Sequence, residues 1–270
     1  MGRCSLTVAL PVISAAGITT SIIPTAVLST HTTGFSGYTY RDLTADMLPI
    51  ASHWQTLQDF AFDAIYTGYL GSREQLGIVA ELINRFKKDK TLILIDPVMA
   101  DHGCLYAGFS QDFPRNMAEL CKYADVITPN ITEALLMLDE PYQEGPYSRE
   151  FIQDILTNLS DGRKVVLTGV YFNDMEYGAA AYDGGHTHFA LGKRIPGDYN
   201  GTGDLFASLL TAALVRGIAL NEAANIAVDF TLKSIERTYR AGTDVKYGVN
   251  FEEGLPGLAD LIRAADLYSD

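Results

Sequence analysis

The sequence predicts an α/β protein built on one doubly wound, mostly parallel central sheet with helices on both faces. Three observations predict it. Strand-like and helix-like stretches alternate along most of the 270 residues, as they do where helical crossovers join parallel strands. Thr91-Leu92-Ile93-Leu94-Ile95 is a continuous apolar run, which suits a strand buried on both faces. Polar motifs follow three strands, at 96–101, 128–133 and 168–169, on the rim where such sheets hold ligands.

The elements follow in order. Residues 5–17 read as a helix, with Ser5 a candidate N-cap, Gly17 a stop and Pro11 a source of a kink. Residues 18–28 are rich in β-branched side chains and read as a strand; 29–40 is a polar, Gly-containing loop. A helix is expected over 42–60, a short strand over 64–67, and a helix capped by Ser72 to about residue 88. After the buried strand at 91–95, a helix over 112–122 leads to a strand at 125–128, and the segment 129–133 opens a helix to Leu138. A loop with Pro141, Gly145 and Pro146 precedes a helix over 148–159 and a strand at 164–169. Residues 178–183 and 187–191 look like a hairpin turning at Asp183-Gly184-Gly185. Helices over 204–216, 221–239 and 255–267 complete the chain. No internal repeat is visible, and a single domain over 1–270 is expected.

Composition narrows the function. With 47% hydrophobic and 20% charged residues the chain is ordinary for a globular protein. It lacks an uninterrupted apolar run of about 18 residues, so no membrane span is expected. The opening Met1-Gly2-Arg3-Cys4-Ser5 and the apolar residues after it resemble a signal peptide, but one basic residue is a poor n-region and a buried helix is preferred. A net charge of −13 argues against a nucleic-acid groove or an anionic membrane surface. It leaves phosphate ligands open, because backbone N–H groups and a divalent cation can hold them. Cys4, Cys104 and Cys121 are far apart and form no CxxC pair, which suits a reducing cytoplasm.

The stretch Asn200-Gly201-Thr202-Gly203-Asp204-Leu205-Phe206 carries the clearest chemistry. A tight glycine turn opens a helix, whose first N–H groups have no intrahelical partner and sit at the positive end of the dipole. That makes an anion site with a carboxylate at its edge. Such an acid makes sense if it takes a proton from a nucleophile attacking a phosphoryl group. It could equally be a helix-start acid favoured by the dipole.

Four stretches taken in order resemble the ribokinase-like superfamily, and within it the pyridoxal kinases: Thr67-Gly68-Tyr69, Asp96-Pro97-Val98-Met99-Ala100-Asp101, Thr128-Pro129-Asn130-Ile131-Thr132-Glu133 and Gly201-Thr202-Gly203-Asp204-Leu205-Phe206. The loop Ser29-Thr30-His31-Thr32 is similar to the family's Ser-Asn-His-Thr segment, with Thr30 in place of the asparagine. Hydroxymethylpyrimidine kinases usually have Cys where this chain has Asp204, so the aspartate favours the pyridoxal branch. The resemblance implies ATP-dependent phosphorylation of the 5′-hydroxymethyl group of pyridoxal, pyridoxine or pyridoxamine, as in vitamin B6 salvage. It implies a homodimer and leaves a monovalent cation open.

The resemblance also implies roles. Asp204 is the general base, and the N–H groups of Gly201, Thr202 and Gly203 face the phosphoryl oxygens. Asn130, Thr168 and Asp101 belong to the ATP and phosphate site. Glu133 and Asp96 serve Mg2+, with Asn130 helping Glu133 to place it through water. Thr32, Tyr69 and His31 hold the vitamin ring. Each has a plainer reading beside it: Glu133 as a first-turn helix acid, Asp96-Pro97 as a turn signal, Thr32 and Tyr69 as loop or core packing.

One departure stands out. The family's chains open with a strand before the Gly2-Arg3-Cys4-Ser5 segment, and a serine ending that strand contacts the pyridine ring. This sequence begins at Met1, without that strand or serine. The expectation is an open sheet edge with apolar surface, and a chain less stable and weaker for pyridoxal than one extended by about 15–20 residues. Two alternatives stay open: another alcohol kinase of the superfamily, acting on hydroxymethylpyrimidine or a sugar, and a catalytically impaired protein that binds vitamin B6.

Overall fold

The computed structural model describes residues 1–57 and 61–266. Helix α1 (Leu6–Ala15) contains Pro11 and stops at Gly17, where φ is +76°. Ser5 makes no side-chain cap; its backbone takes φ 49° and ψ −129°, a region that a residue with a Cβ enters only at a cost. The β-branched stretch 18–28 forms a strand only at β1 (Ala26–Leu28), which pairs antiparallel with β2 (Tyr40–Asp42) in a hairpin outside the main sheet. The loop expected over 29–40 therefore ends in a strand. β propensity describes fit to a paired surface; residues 18–25 pair with no described strand, and Pro24 has no N–H to offer.

Helix α2 (Thr44–Trp54) is shorter than expected, and the predicted end at Phe60 lies outside the described residues. Asp42 Oδ1 accepts the Thr44 N–H at its start, at 2.7 Å. Next come β3 (Ala64–Thr67), α3 (Arg73–Phe86), β4 (Leu92–Ile95) and a small hairpin, β5 (Ala100–Asp101) with β6 (Cys104–Leu105), that the sequence reading does not contain. The Ser72 hydroxyl caps α3 by accepting the Gln75 N–H at 3.2 Å. The remainder is α4 (Phe113–Cys121), β7 (Val126–Ile127), α5 (Ile131–Met137), α6 (Arg149–Ser160), β8 (Lys164–Val170), β9 (Glu176–Asp183), β10 (His186–Lys193), α7 (Thr202–Val215), α8 (Leu220–Ala241) and α9 (Leu255–Asp266). The predicted end of the last helix, Leu267, lies outside the described residues. Gly184 and Gly185 turn the β9–β10 hairpin, both at positive φ, as a tight two-residue turn requires.

The main sheet has the order β10-β9-β8-β7-β4-β3. Strands β3, β4, β7 and β8 run parallel; β9 and β10 are antiparallel additions. Alternation along each strand divides the core between two faces. Ile93, Ile95, Ile127, Val165 and Leu167 point toward the layer of α2 to α6. Leu94, Val126 and Val166 point toward α1, α7, α8 and α9. This is the doubly wound architecture that the sequence predicts.

Strand β3 ends the sheet, and among the described residues no strand pairs with its outer edge. A cavity of about 810 Å3 runs along that edge, between β3 and residues 18–28. Helix α1 packs on α7, and α2 packs on α3. Among the described residues the outer edge of β3 is unpaired, as the sequence reading expects. Gln75 fastens one wall. It is fully buried, its Nε2 donates to Thr25 O at 3.0 Å and Thr44 Oγ1 at 2.9 Å, and its Oε1 accepts the Gly71 N–H at 2.7 Å.

Candidate active site

The glycine turn lies at one end of this cavity. Gly201 is the N-cap of α7 with φ +75°, a conformation open to glycine at no steric cost. A Cβ there would overlap the Arg3 carbonyl oxygen, and one on Gly248 would come within 2.6 Å of the same atom. The N-terminal turn is thus seated on two glycines. The Arg3 N–H donates to Tyr247 O at 2.9 Å, and its guanidinium pairs with Glu252 at 2.6 Å. The Thr202 hydroxyl is turned back onto Tyr199 O at 3.1 Å, so what Thr202 and Gly203 offer an anion is their N–H groups at the helix start.

Asp204 lines the cavity from the first turn of α7. Burial raises its carboxyl above the ordinary carboxylate range, and the backbone N–H of Ser5 and the nearby His31 ring oppose that rise. The effect carries to its neighbour: burial, then Asp204, push the Cys4 thiol up to about 11.

The residues expected to hold a ring meet Asp204 in the same space. His31, Thr32 and Tyr69 all line the cavity with Gly201 and Asp204. His31 Nε2 is spent on Lys246 O at 2.5 Å and the imidazole stands edge-on to Phe35, which ties the 29–38 loop to the 245–247 turn. Thr32 is exposed at the rim. The Tyr69 ring tilts against Phe109 at 5.8 Å, and the Tyr69 carbonyl accepts the Thr25 hydroxyl at 3.1 Å.

The remaining expected residues gather on the adjoining rim, outside the cavity lining, at the ends of β4, β7 and β8. Asn130 and Glu133 form a capping box: Asn130 Oδ1 accepts the Glu133 N–H at 2.9 Å and Glu133 Oε2 accepts the Asn130 N–H at 2.9 Å. Glu133 Oε1 also accepts the N–H of Met99 at 3.0 Å and of Ala100 at 3.5 Å. Both Glu133 oxygens therefore already carry backbone donors, and the carboxylate is 4% exposed. Burial pushes it up to about 8 despite those three N–H groups, with Asp101 adding to the rise. Asp96 is buried and accepts the Thr128 hydroxyl at 3.1 Å; burial, then Glu133 and Asp204, hold its carboxyl well above the usual range. Asp101 is exposed in the β5–β6 hairpin and accepts the His102 N–H at 2.8 Å. Thr168 bridges to Asn130, and its N–H donates to Pro129 O at 2.9 Å.

Three residues beyond those read from the sequence join the site. Tyr106 lines the cavity; burial, then the charges of Glu133, Asp101, Asp96 and Asp204, raise its phenol. Tyr66 also lines the cavity, and burial, then Asp96 and Asp204, hold its phenol well above the usual range. Gln75 had a visible signal, because it occupies the same helical stripe as Val79, Leu82 and Phe86 and is polar where its neighbours are apolar. Tyr106 had none: it follows the unforeseen β5–β6 hairpin.

Buried acids that raise one another call for positive charge, and the donor set fits a hard oxygen-loving cation such as Mg2+. Glu133 would reach it through water, its oxygens being occupied. Among the described residues no group of three or more His, Cys, Asp or Glu side chains converges as a ready-made metal cage.

Residues 9–249 match the phosphomethylpyrimidine kinase family. A pyridoxine/pyridoxal/pyridoxamine kinase of Bordetella avium (strain 197N) is 28% identical over 255 residues, covering 88% of this chain and 81% of its own. The crystal structure of pyridoxal kinase from Lactobacillus plantarum superposes with a TM-score of 0.88 at 33% identity, over 98% of this chain and 94% of that one. A structure from Bacteroides thetaiotaomicron VPI-5482, named for phosphomethylpyrimidine kinase and solved with pyridoxal, gives a TM-score of 0.89 at 39% identity, over 96% and 91%. The resemblance read from the four motifs is borne out. By sequence along most of its length and by fold throughout, the chain belongs to the phosphomethylpyrimidine kinase family.

Proposed function

We propose that this chain is a single-domain kinase that transfers a phosphoryl group from ATP to the 5′-hydroxymethyl group of pyridoxal and its vitamers, in vitamin B6 salvage. One observation carries the reading: a carboxylate, Asp204, shares a cavity with a helix start and with His31, Thr32 and Tyr69. Pyridoxal in the Bacteroides thetaiotaomicron structure, and the names of the Bordetella and Lactobacillus proteins, support the choice of substrate. Aspartate rather than cysteine at 204 supports it over the pyrimidine branch.

In this reading Asp204 takes the proton of the attacking alcohol, and its raised pKa brings it nearer the working pH. The N–H groups of Gly201, Thr202 and Gly203 face the oxygens on which charge builds. Asn130, Thr168 and Asp101 face the nucleotide phosphates. Asp96, and Glu133 through water, would hold Mg2+, which would supply charge neutralisation for the nucleotide phosphates. A homodimer in the cytoplasm completes the proposal.

The test is product formation by the purified protein with ATP and Mg2+ on pyridoxal, pyridoxine, pyridoxamine, hydroxymethylpyrimidine and ribose. Phosphorylated vitamers are expected, and Asp204→Asn is expected to bind ATP but yield no product. Product from hydroxymethylpyrimidine or ribose alone would replace the substrate assignment. Pyridoxal bound without turnover would make the chain a binding protein, and near-normal turnover in Asp204→Asn would remove the base.

A further inference from the structure

The cavity holds two hydroxyls with nothing to bond. Among the described residues four buried side-chain polar atoms lack a hydrogen-bond partner, and two of them, Thr67 Oγ1 and Thr30 Oγ1, belong to residues lining the cavity. Thr67 is only 8% exposed. Its backbone is fixed at the end of β3, where its carbonyl accepts the Asp96 N–H at 3.0 Å, so its side chain has little freedom to seek a partner elsewhere. Other hydroxyls along the same wall are spent inside the protein: Thr25 on Tyr69 O at 3.1 Å and Thr211 on Ala207 O at 2.7 Å. A buried hydroxyl left unpaired is costly, and a native structure keeps one where something else completes it. The surroundings are otherwise largely apolar, including Ile23, Leu70 and Val98. Such a pocket takes a flat apolar body and fixes its orientation through a few polar points.

We propose that Thr67, together with Thr30 of the loop that carries His31, is a specificity-determining residue whose hydroxyl bonds a polar ring atom of a hydroxylated nitrogen heterocycle. The assignment deepens the kinase reading and rests on it, because it takes the occupant of the cavity to be the phosphoryl acceptor. A threonine hydroxyl can both donate and accept, so it suits a ring hydroxyl or a ring nitrogen. A site built to bond such an atom rejects a ring that lacks it.

The test uses the full chain, calorimetric titration with pyridoxine in the absence of ATP, and thermal melting without ligand. Thr67→Val keeps the shape and removes the hydroxyl; Thr67→Ser keeps the hydroxyl. Thr67→Val is expected to weaken pyridoxine about 5- to 20-fold and to raise the melting temperature of the ligand-free protein, since an unpaired buried hydroxyl has gone. Thr67→Ser is expected to hold pyridoxine within about threefold of the parent, a difference under 1 kcal/mol. Of two pyridoxine analogues, one without the ring hydroxyl and one with CH in place of the ring nitrogen, one is expected to bind parent and Thr67→Val equally, which identifies the bonded atom. Unchanged pyridoxine affinity in Thr67→Val overturns the assignment alone. A fall in ligand-free melting temperature does so too, because it means the hydroxyl already has a partner. A parent that does not bind pyridoxine overturns the functional reading and this assignment with it.

Discussion

The carbonyl oxygen of Arg3 occupies the space that a Cβ on Gly201 would need. The N-terminal turn and the phosphate-facing turn are therefore in contact backbone to backbone, and Gly201 also holds φ at +75°. Gly201→Ala is expected to lower turnover at least 100-fold by displacing the N–H groups, and to cost about 1–3 kcal/mol of stability. Gly203 provides the comparison. An added Cβ there meets no atom within 4 Å, so Gly203→Ala should melt close to the parent. Turnover and thermal melting of the pair check both statements.

Stability should fall as pH rises from about 5 to 8. Glu133 has an ordinary value of 4.5 and is pushed up to about 8 in the folded protein, chiefly by burial. A group that holds its proton more tightly when folded contributes stability that is fully present below its unfolded pKa and is lost as pH climbs through the folded one. Asp96, raised in the same direction by burial and Glu133, adds to the slope. Glu133→Gln removes one titrating group, so its denaturant midpoint should vary less over this range than the parent's. Chemical denaturation at several pH values measures both slopes, and equal slopes would remove Glu133 as their source.

Gln75 should matter to both fold and site. Gln75→Leu leaves the Gly71 N–H without its partner and removes one of the two donors to the Thr25 carbonyl, which keeps the Leu43 N–H. One backbone donor left unsatisfied costs about 1–3 kcal/mol. Thr25 and Gly71 flank the wall that carries Tyr69, so the Michaelis constant for the alcohol should rise more than that for ATP. Denaturant unfolding and steady-state kinetics with each substrate varied separate the two effects.

Legibility in the sequence followed how local each signal was. α3 announced itself through Ser72 and a regular apolar stripe, and β4 through an unbroken apolar run; both need only neighbours in the chain. Residues 18–25 carried an equally strong β-branched signal and form no strand, because a strand also needs an edge to pair with, and that is decided by distant residues. The site divides similarly. The Gly201–Asp204 turn and the Asn130-to-Glu133 spacing are short-range patterns and were readable as motifs. The capping box nevertheless gives Glu133 a structural occupation beside any cation role. The meeting of Tyr106 and Tyr66 with the acids depends on loops from separate parts of the chain, which no short pattern encodes.

Glu133 has a mechanical consequence. One side chain gathers amides from the loop between β4 and β5 and from the start of α5, while the Asn130 side chain reaches back to Ala100 O at 2.8 Å and its backbone bridges to Thr168. Three strand ends are in effect riveted at a single point. Such a rim has no soft first step: heat cannot release the loop after β4 without also releasing the cap of α5 and the end of β8. Loss of the site and loss of the fold then belong to one transition.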